Sequence, residues 1–262
     1  MPTWQAIQSR QHINSGWRSP IDYRHAKEDA LAPLTITELS QAIPHYPLAF
    51  SQQSSGGYQL VAVLSLQSGV NLYVNAENHW QVPFVPACFR SYPFNLLPNK
   101  QGTLVVCIDL DSGLFHEQAE PEDKPIFNAD GEPTEAVQEV ISFMEKRHKQ
   151  QAVTQKAVNK LAENNLIELW PVQLRADSGE VQNVTGLSRI AESKIKSLGP
   201  DALSDLVQHG ALALAYAQLF SMNQVSRLGE LAKYHARQAQ QSEQPDIEQL
   251  FGSDDTLHFD NI

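Results

Sequence analysis

The sequence predicts an α+β fold in which a mainly antiparallel sheet from the N-terminal half packs against helices from the C-terminal half. Short apolar or alternating segments, separated by turn residues, dominate the chain up to Asp111. These early segments follow one another directly, which favours antiparallel pairing. Beyond Glu132 the apolar residues recur at helical spacing instead. The apolar face of such helices must be buried, and the sheet offers a surface for it. The result is a layer of helices packed on a layer of strands.

The predicted strands begin after a short helix. Thr35 and Glu38 have the spacing of a capping box, and Pro44 ends the helix that they open. Apolar or alternating segments then predict strands, with a hairpin that turns at 75–78 before Trp80; the strand segments are 45–50, 58–66, 71–74 and 103–110.

A proline-rich segment at 83–94 interrupts this pattern. Pro83, Pro86 and Pro93 each remove a backbone donor and favour extended geometry in the residue before them. We therefore expect an edge strand or a packed irregular segment, whose aromatic side chains need a core to cover them.

Helices and one further hairpin fill the rest of the chain. Glu135 lies in the first turn of a predicted helix, and Thr154 is the expected N-cap of a second helix, which ends near Asn165. Segments 167–174 and 181–190 flank a turn signal and predict a second hairpin. From Pro200 onward the pattern is helical again.

Three regions are expected along the chain. Residues 1–33 are polar without period and predict a flexible arm, 34–237 form a single domain without a linker to divide it, and 238–262 form an acidic, disordered tail. Several apolar side chains in this tail indicate a short linear motif for a protein partner, with docking onto its own domain as the alternative.

Charge and composition exclude several classes of protein. Thirty acidic residues against 19 Lys and Arg give a net charge of −11, which repels nucleic acid and anionic lipid. The N-terminus has no signal-peptide pattern and no apolar run is long enough for a bilayer, so we expect no membrane insertion. Cys88 and Cys107 have no metal or redox spacing and predict buried thiols, which suits a cytoplasmic location with surface association only by a non-standard route.

The best candidate for chemistry is a pair of carboxylates at a strand end. Asp109 and Asp111 lie two apart, which places them on one face, and His116 follows. The group could be a metal or acid–base site, or a solvated strand end that turns at 112–113, and we adopt the second interpretation. Nucleophile-elbow, P-loop and dinucleotide signatures are absent, so the sequence predicts no catalytic residue, no metal site and no cofactor.

An arginine among aromatic residues indicates binding. A guanidinium cannot lose its charge, so Arg90 must find an anion, a carbonyl or a ring face. Aromatic residues such as Trp80 and Tyr92 are more often core than part of a binding site, but Arg90 among them favours a site. We therefore expect Trp80, Arg90 and Tyr92 to form the rim of a ligand or partner site together with Asp109 and Asp111. Asp109 is the expected internal partner of Arg90.

Four motifs occur in one order along the chain and carry a resemblance. They are Tyr-Pro-Leu-Ala-Phe at 46–50, Asn-Leu-Tyr-Val at 71–74 followed by Trp80, Val-Pro-Ala-Cys-Phe-Arg-Ser-Tyr-Pro-Phe at 85–94, and Thr-Gly-Leu at 185–187. From about Leu34 to Ala236 the chain resembles the bacterial SapC family. The resemblance implies a surface-layer association or a genomic setting beside outer-membrane uptake receptors, and it brings no established catalytic residues.

Two functions of different classes follow. The favoured one is a non-catalytic binding or accessory protein of a bacterial surface-layer or outer-membrane nutrient-uptake system, with a protein partner and room for a small polar ligand. The alternative is an enzyme that acts on a small polar substrate, such as a saccharide, with Asp109, Asp111 and Arg90 in its site. Convergence of these three side chains in one open pocket would favour the enzyme.

Overall fold

The computed structural model describes residues 2–54, 56–175 and 181–243. It has the expected α+β class, with antiparallel sheets in the N-terminal half and helices in the C-terminal half. The described strands are β1 Trp4–Ala6, β2 Gly16–Trp17, β3 Leu31–Pro33, β4 Leu48–Gln52, β5 Tyr58–Val63, β6 Phe94–Pro98, β7 Leu104–Asp109, β8 Phe115–His116, β9 Lys124–Pro125, β10 Ile167–Leu169, β11 Val172–Arg175, β12 Val181–Val184 and β13 Leu187–Ile190.

Seven α-helices are found in the described parts of the chain, several of them short. They are α1 Ser9–His12, α2 Leu39–Ala42, α3 Glu135–Glu163, α4 Glu192–Ile195, α5 Pro200–Gln208, α6 Ala211–Ser221 and α7 Val225–Glu243. Three single 3₁₀ turns, Arg24–Ala26, Ile36–Glu38 and Ala87–Phe89, matter for the sites described below.

A five-stranded sheet forms the centre of the molecule, in the order β10-β13-β4-β5-β3. Its central strands β13, β4 and β5 are largely buried, because α3 and α6 pack on the sheet. Tyr46, Phe50 and Tyr73 are the largest fully buried side chains of this main core.

A second, smaller core lies under the remaining sheets. The three-stranded sheet β1-β7-β6 and the small sheet β8-β2-β9 contribute to it, with Trp17 packed edge-on against Phe94 at 4.8 Å between ring centroids. Helix α3 joins the two cores, since Met144 packs in the second core and Leu161 in the main core.

The expected flexible arm is a folded part of these sheets. β1 pairs with β7, β2 lies between β8 and β9, and β3 pairs with β5. The partners lie far along the chain, so residues 1–33 have no local period that marks them as strands. The division into one domain over 34–237 stays a prediction, which proteolysis can test.

The segment 71–80, predicted to be a hairpin, differs from a regular one. Residues 71–80 form tight turns with a single bridge between Val74 and Trp80, and Asn78 has a left-handed φ of 63°. The proline-rich segment is irregular, as one of the two expectations had it, with the 3₁₀ turn Ala87–Phe89 leading into β6.

The two helices expected between 135 and 165 form one continuous helix, α3. Thr154 is therefore not an N-cap of a second helix. Its buried hydroxyl donates to Gln150 O at 2.8 Å within α3 and accepts a hydrogen bond from Ile36 N at 2.8 Å. Thr154 thus caps the neighbouring 3₁₀ turn Ile36–Glu38 instead, a contact that sequence spacing does not report.

Most other local expectations are confirmed. Glu38 closes the capping box, with Thr35 N donating to its Oε2 at 2.8 Å, and Asn165 ends α3 with a left-handed φ of 55°. β11 pairs with β12 as the second hairpin, whose turn at 176–180 lies outside the described residues.

The predicted tail begins within a helix. α7 continues to Glu243, and the remaining part of the tail, 244–262, lies outside the described residues. Both cysteines are free thiols, Cys107 buried and Cys88 half-buried. No helix in the described ranges combines the length and the apolar composition needed to cross a bilayer.

Candidate functional site

A cleft lies between β1, the 3₁₀ turn Arg24–Ala26 and the proline-rich segment. Its volume is about 680 Å³, within the range of small-molecule sites. Tyr92, Asp109 and Asp111, three of the five predicted site residues, line it. Its wall combines aromatic rings with carboxylate, amide and ammonium groups.

Three rings form one aromatic wall of the cleft. His25 stacks on Tyr92 with 4.1 Å between the ring centroids and an angle of 5° between the planes. Trp4 meets Tyr92 edge-on at 6.5 Å. A nearly parallel pair with an edge-on neighbour is a stable aromatic arrangement, and all three side chains are half-buried, so parts of the rings face solvent.

His25 belongs to this wall as a neutral ring. Burial lowers its pKa, which a hydrogen bond to Phe89 O only partly opposes. The Nε2 atom lies 3.2 Å from Phe89 O, and since a carbonyl can only accept, the proton is on Nε2. The His25 ring is thus an uncharged surface near neutral pH.

Asn71, the first residue of the Asn-Leu-Tyr-Val motif, holds the 3₁₀ turn that carries His25. This buried side chain donates from Nδ2 to Ala26 O at 2.9 Å and accepts from Tyr73 N at 2.9 Å. The backbone N–H of Asn71 also donates to Lys27 O at 2.8 Å. The motif therefore supports the cleft from behind without lining it.

Asp109 is a structural carboxylate. Its side chain is buried and accepts three hydrogen bonds, from Tyr92 Oη at 2.8 Å, Thr3 N at 2.9 Å and Asp111 N at 3.2 Å. Burial raises the pKa of the Tyr92 phenol, and the Asp109 carboxylate raises it further. The phenol therefore keeps its proton and donates a hydrogen bond to Asp109. Asp109 fixes the position of the Tyr92 ring and ties the N-terminus to the end of β7.

Asp111 differs because it is exposed at the rim. Its Oδ2 accepts a hydrogen bond from Thr3 Oγ1 at 2.5 Å, which leaves capacity for other donors. Lys27 and Asn95 also line the cleft, whereas Arg24 is engaged by Asp22, with 2.7 Å between Nη2 and Oδ2.

Arg90 does not pair with Asp109, contrary to the expectation from sequence. Its guanidinium carbon lies 5.3 Å from the centre of the Phe143 ring on α3, and the side chain is exposed. Arg90 lines a different pocket, beside Lys146 and Arg147. Asp109 has three donors of its own, and so needs no arginine.

Trp80 is half-buried, packs against the main core and does not line the cleft. Its Nε1 donates to Tyr46 Oη at 2.8 Å, and Tyr46 in turn donates to Phe84 O. Its ring contacts Tyr23 and Phe89, each at 5.4 Å between centroids. Of the predicted rim, only Tyr92 is at the cleft.

His116 joins a polar group elsewhere and not the pair Asp109 and Asp111. Its Nδ1 lies 2.7 Å from Asp123 Oδ2, and with Glu120 these residues are the one set of metal-ligand type found in the described chain. Arg18 already binds both carboxylates, at 2.6 Å from Asp123 and 2.5 Å from Glu120. A cation would have to displace this guanidinium, so the arrangement is that of an ion-pair network.

The comparisons with known proteins place the chain in a family. A model of the SapC family matches residues 7–228. The chain belongs to the SapC family. Neither the curated proteins nor the solved structures contain a match.

The family match also includes most of the expected N-terminal arm, since it starts before β2 and β3. In the SapC-family chain those residues supply part of the cleft. The inclusion of residues 7–33 in the family match agrees with the pairing of β2 and β3 in the sheets.

Among the described residues that line the cleft, none is an activated nucleophile. Cys88 lies at its wall, but burial raises the pKa of its thiol to about 12, so it is protonated at neutral pH. The Asp109 carboxylate is fully engaged.

Sequence reasoning missed Trp4 and His25, which complete the aromatic wall. Both lie in the segment 1–33, which was predicted to be a flexible arm. Their partner Tyr92 is far away in the sequence. The Asn71 motif was a signal that could have pointed to His25. A buried Asn side chain needs hydrogen-bond partners, and Asn71 finds one at Ala26 O, next to His25.

Proposed function

We propose that this SapC-family chain is a non-catalytic binding protein that serves as an accessory to a surface-layer or outer-membrane nutrient-uptake system, and that its cleft takes a small polar ligand of the saccharide class. The observation that carries the proposal is the aromatic wall of Trp4, His25 and Tyr92 beside polar side chains in an open cleft.

A sugar matches this wall by its two kinds of surface. The C–H face of a pyranose ring is apolar and packs on aromatic rings, whereas its hydroxyl edge needs donors and acceptors. Asp111 offers an acceptor with free capacity, Lys27 offers donors, and Asn95 offers both. A neutral His25 keeps the aromatic wall free of charge.

Binding has more support than the enzyme alternative. That alternative required Asp109, Asp111 and Arg90 in one site, and Arg90 lines another pocket. Asp109 accepts three hydrogen bonds, which leaves it little capacity as a base or nucleophile. The accessory role is supported by family membership.

Calorimetric titration with a panel of neutral mono- and oligosaccharides tests the ligand class. Tyr92→Phe keeps the ring and should retain binding, whereas Tyr92→Ala removes part of the wall and should weaken binding by roughly tenfold or more. Tyr216→Ala, which truncates an exposed ring on α6, is the matched control and should change nothing. Absence of binding to every sugar, or turnover of one, would contradict the proposal.

The accessory role predicts a protein partner. Co-purification from native cells with mass spectrometry should recover surface-layer or uptake components with the full chain. A chain that ends at Glu243 tests whether the segment 244–262 holds the partner, as its apolar residues led us to expect. Recovery of no surface-layer or uptake component with the full chain would contradict the accessory role.

A further inference from the structure

A second pocket lies between the capping turn Ile36–Glu38 and helix α3. Its volume is about 390 Å³, and it shares no lining residue with the cleft. Ala87 and Arg90 come to it from the 3₁₀ turn Ala87–Phe89 and the residue after it, while Phe143, Lys146 and Arg147 come from α3.

Three cations converge on this pocket without a carboxylate partner. Within the described ranges, Arg90, Lys146 and Arg147 make no ion pair and no side-chain hydrogen bond to the protein. Arg18, Arg24 and Arg189 show the contrast, because each is bound to an acidic side chain. In a chain of net charge −11, an unpaired cationic group of this size is unusual.

Arg147 carries the most specific signal. Its Nε atom is buried and has no hydrogen-bond partner in the described structure. A buried donor without an acceptor is costly, and an acceptor atom on a bound ligand would remove that cost. Planar guanidinium groups suit the oxygens of phosphate and carboxylate in particular.

The carboxylate of Glu38 also lines the pocket, but it has its own donors. It accepts from Thr35 N, Thr35 Oγ1 and Ala87 N, each at 2.8 Å. Three cations and this one carboxylate give the pocket a net charge of +2. That charge is matched by a dianion.

We propose that this pocket binds a small phosphate monoester, whose phosphate is held by Arg90, Lys146 and Arg147. A phosphate monoester carries close to two negative charges at neutral pH, since its second pKa is about 6. The Phe143 ring and Ala87 give the organic part of the ligand an apolar surface. The pocket shares no lining residue with the proposed saccharide cleft, so variants can alter one without removing a side chain of the other.

Calorimetry with glycerol 3-phosphate tests the proposal, with glycerol and methyl sulfate as the uncharged and singly charged comparisons. The unmodified protein should bind the phosphate ester, should not bind glycerol and should bind methyl sulfate more weakly. Added salt should weaken the interaction, because the cations are partly exposed.

Charge-neutralising variants locate the site. Arg147→Gln and the double variant Arg90→Gln with Lys146→Gln should each weaken binding by roughly tenfold to a hundredfold, as expected for lost hydrogen bonds between charged groups. Lys149→Gln removes the same charge from an exposed position on α3 and is the matched control, with a change of less than about twofold. The melting temperature of each variant without ligand checks the fold.

Three results would overturn the proposal: no binding of glycerol 3-phosphate at millimolar concentration, equal affinity for methyl sulfate, or an equal loss in Lys149→Gln. Arg147→Lys provides a further check if Arg147→Gln unfolds, because it keeps the charge but removes the planar fork. It should bind with intermediate affinity, and affinity equal to that of the unmodified protein would also count against the assigned geometry.

Discussion

Asp109 shows how environment determines what a carboxylate can do. The sequence places it beside Asp111 at a strand end, in a pattern that could serve acid–base chemistry. The fold buries Asp109 under three donors and leaves Asp111 at the surface. The two acids therefore have different roles: Asp109 anchors Tyr92 and the N-terminus, and Asp111 is available to a ligand.

Replacing Asp109 by Ala should destabilise the protein by roughly 2–3 kcal/mol, because Tyr92 Oη and two backbone N–H groups lose their acceptor. Urea unfolding followed by circular dichroism measures the change. Asp111→Ala removes an exposed carboxylate and should alter stability by less than about 0.5 kcal/mol. Equal losses in the two variants would show that Asp109 is not the anchor.

His25 should make stability depend on pH. Burial lowers its pKa in the folded state, so below about pH 6.5 the unfolded chain binds more protons at this position than the folded chain. Protonation of His25 at low pH therefore favours the unfolded state. The free energy of unfolding should decrease as the pH falls from about 7 to about 5.

The variant His25→Phe keeps an aromatic ring against Tyr92 and removes the titrating group. It should flatten the pH dependence measured by urea unfolding across that range. His148→Phe, which changes an exposed ring on α3, serves as the control for the substitution itself. If the free energy of unfolding of His25→Phe depended on pH as in the unmodified protein, His25 would not be the cause of that dependence.

At the scale of elements, helix α3 and the small sheet β8-β2-β9 show how distant segments are held together. α3 contributes side chains to both cores along its 29 residues. The small sheet depends on close approach instead. A Cβ on Gly16 of β2 would lie 2.6 Å from Asp123 Cβ and 2.8 Å from Ala119 Cβ, so only glycine fits there.

Two glycine-to-alanine changes should therefore have opposite effects. Gly16→Ala creates an overlap and should destabilise the fold by about 1–3 kcal/mol. Gly229→Ala lies in α7 with open space around it and should stabilise by up to about 1 kcal/mol through helix propensity. Thermal and chemical unfolding of the two variants compares them, and the same sign for both would contradict the role of close packing at Gly16.

At the scale of the whole molecule, the N-terminal residues and the C-terminal helices close the same structure. Residues 1–33 provide an edge strand to two sheets and the central strand to a third. Trp17 from this region is buried in the second core, and Ala32 in the main core. The continuous α3 packs side chains into both cores.

A chain that starts at Leu34 should lose cooperative unfolding, because three strands and their buried side chains are removed. Calorimetry and solubility of this shortened chain measure the effect. A soluble fragment from Leu34 onward with a sharp unfolding transition would contradict the assignment.

Limited proteolysis of the full protein gives an independent test of the single domain. It should leave the region 34–237 uncut, and the strands before Leu34 should resist cleavage as well because they are paired in the sheets. Two stable internal fragments, separated by cleavage between Gln118 and Asp130, would instead show that the molecule divides into two domains.

Local patterns were enough to predict much of the fold. The strands β5 and β7, the capping box of Thr35 and Glu38, the left-handed Asn165 and the second hairpin all follow from residues within a few positions of one another. The family motifs were also readable, and the family is confirmed.

The sites depended on contacts that no local pattern encodes. Thr3 reaches Asp109 across 106 positions, and Ile36 reaches Thr154 across 118. Such pairings decided that the N-terminal segment is folded, that Arg90 faces Phe143 and not Asp109, and that aromatic and cationic residues form two separate pockets. The sequence by itself determined the elements with a strong local pattern, such as β5 and β7, because propensity and periodicity are local. Only the tertiary structure decided the partners and the strands of residues 1–33, because burial and pairing depend on which distant segments the sheets bring together.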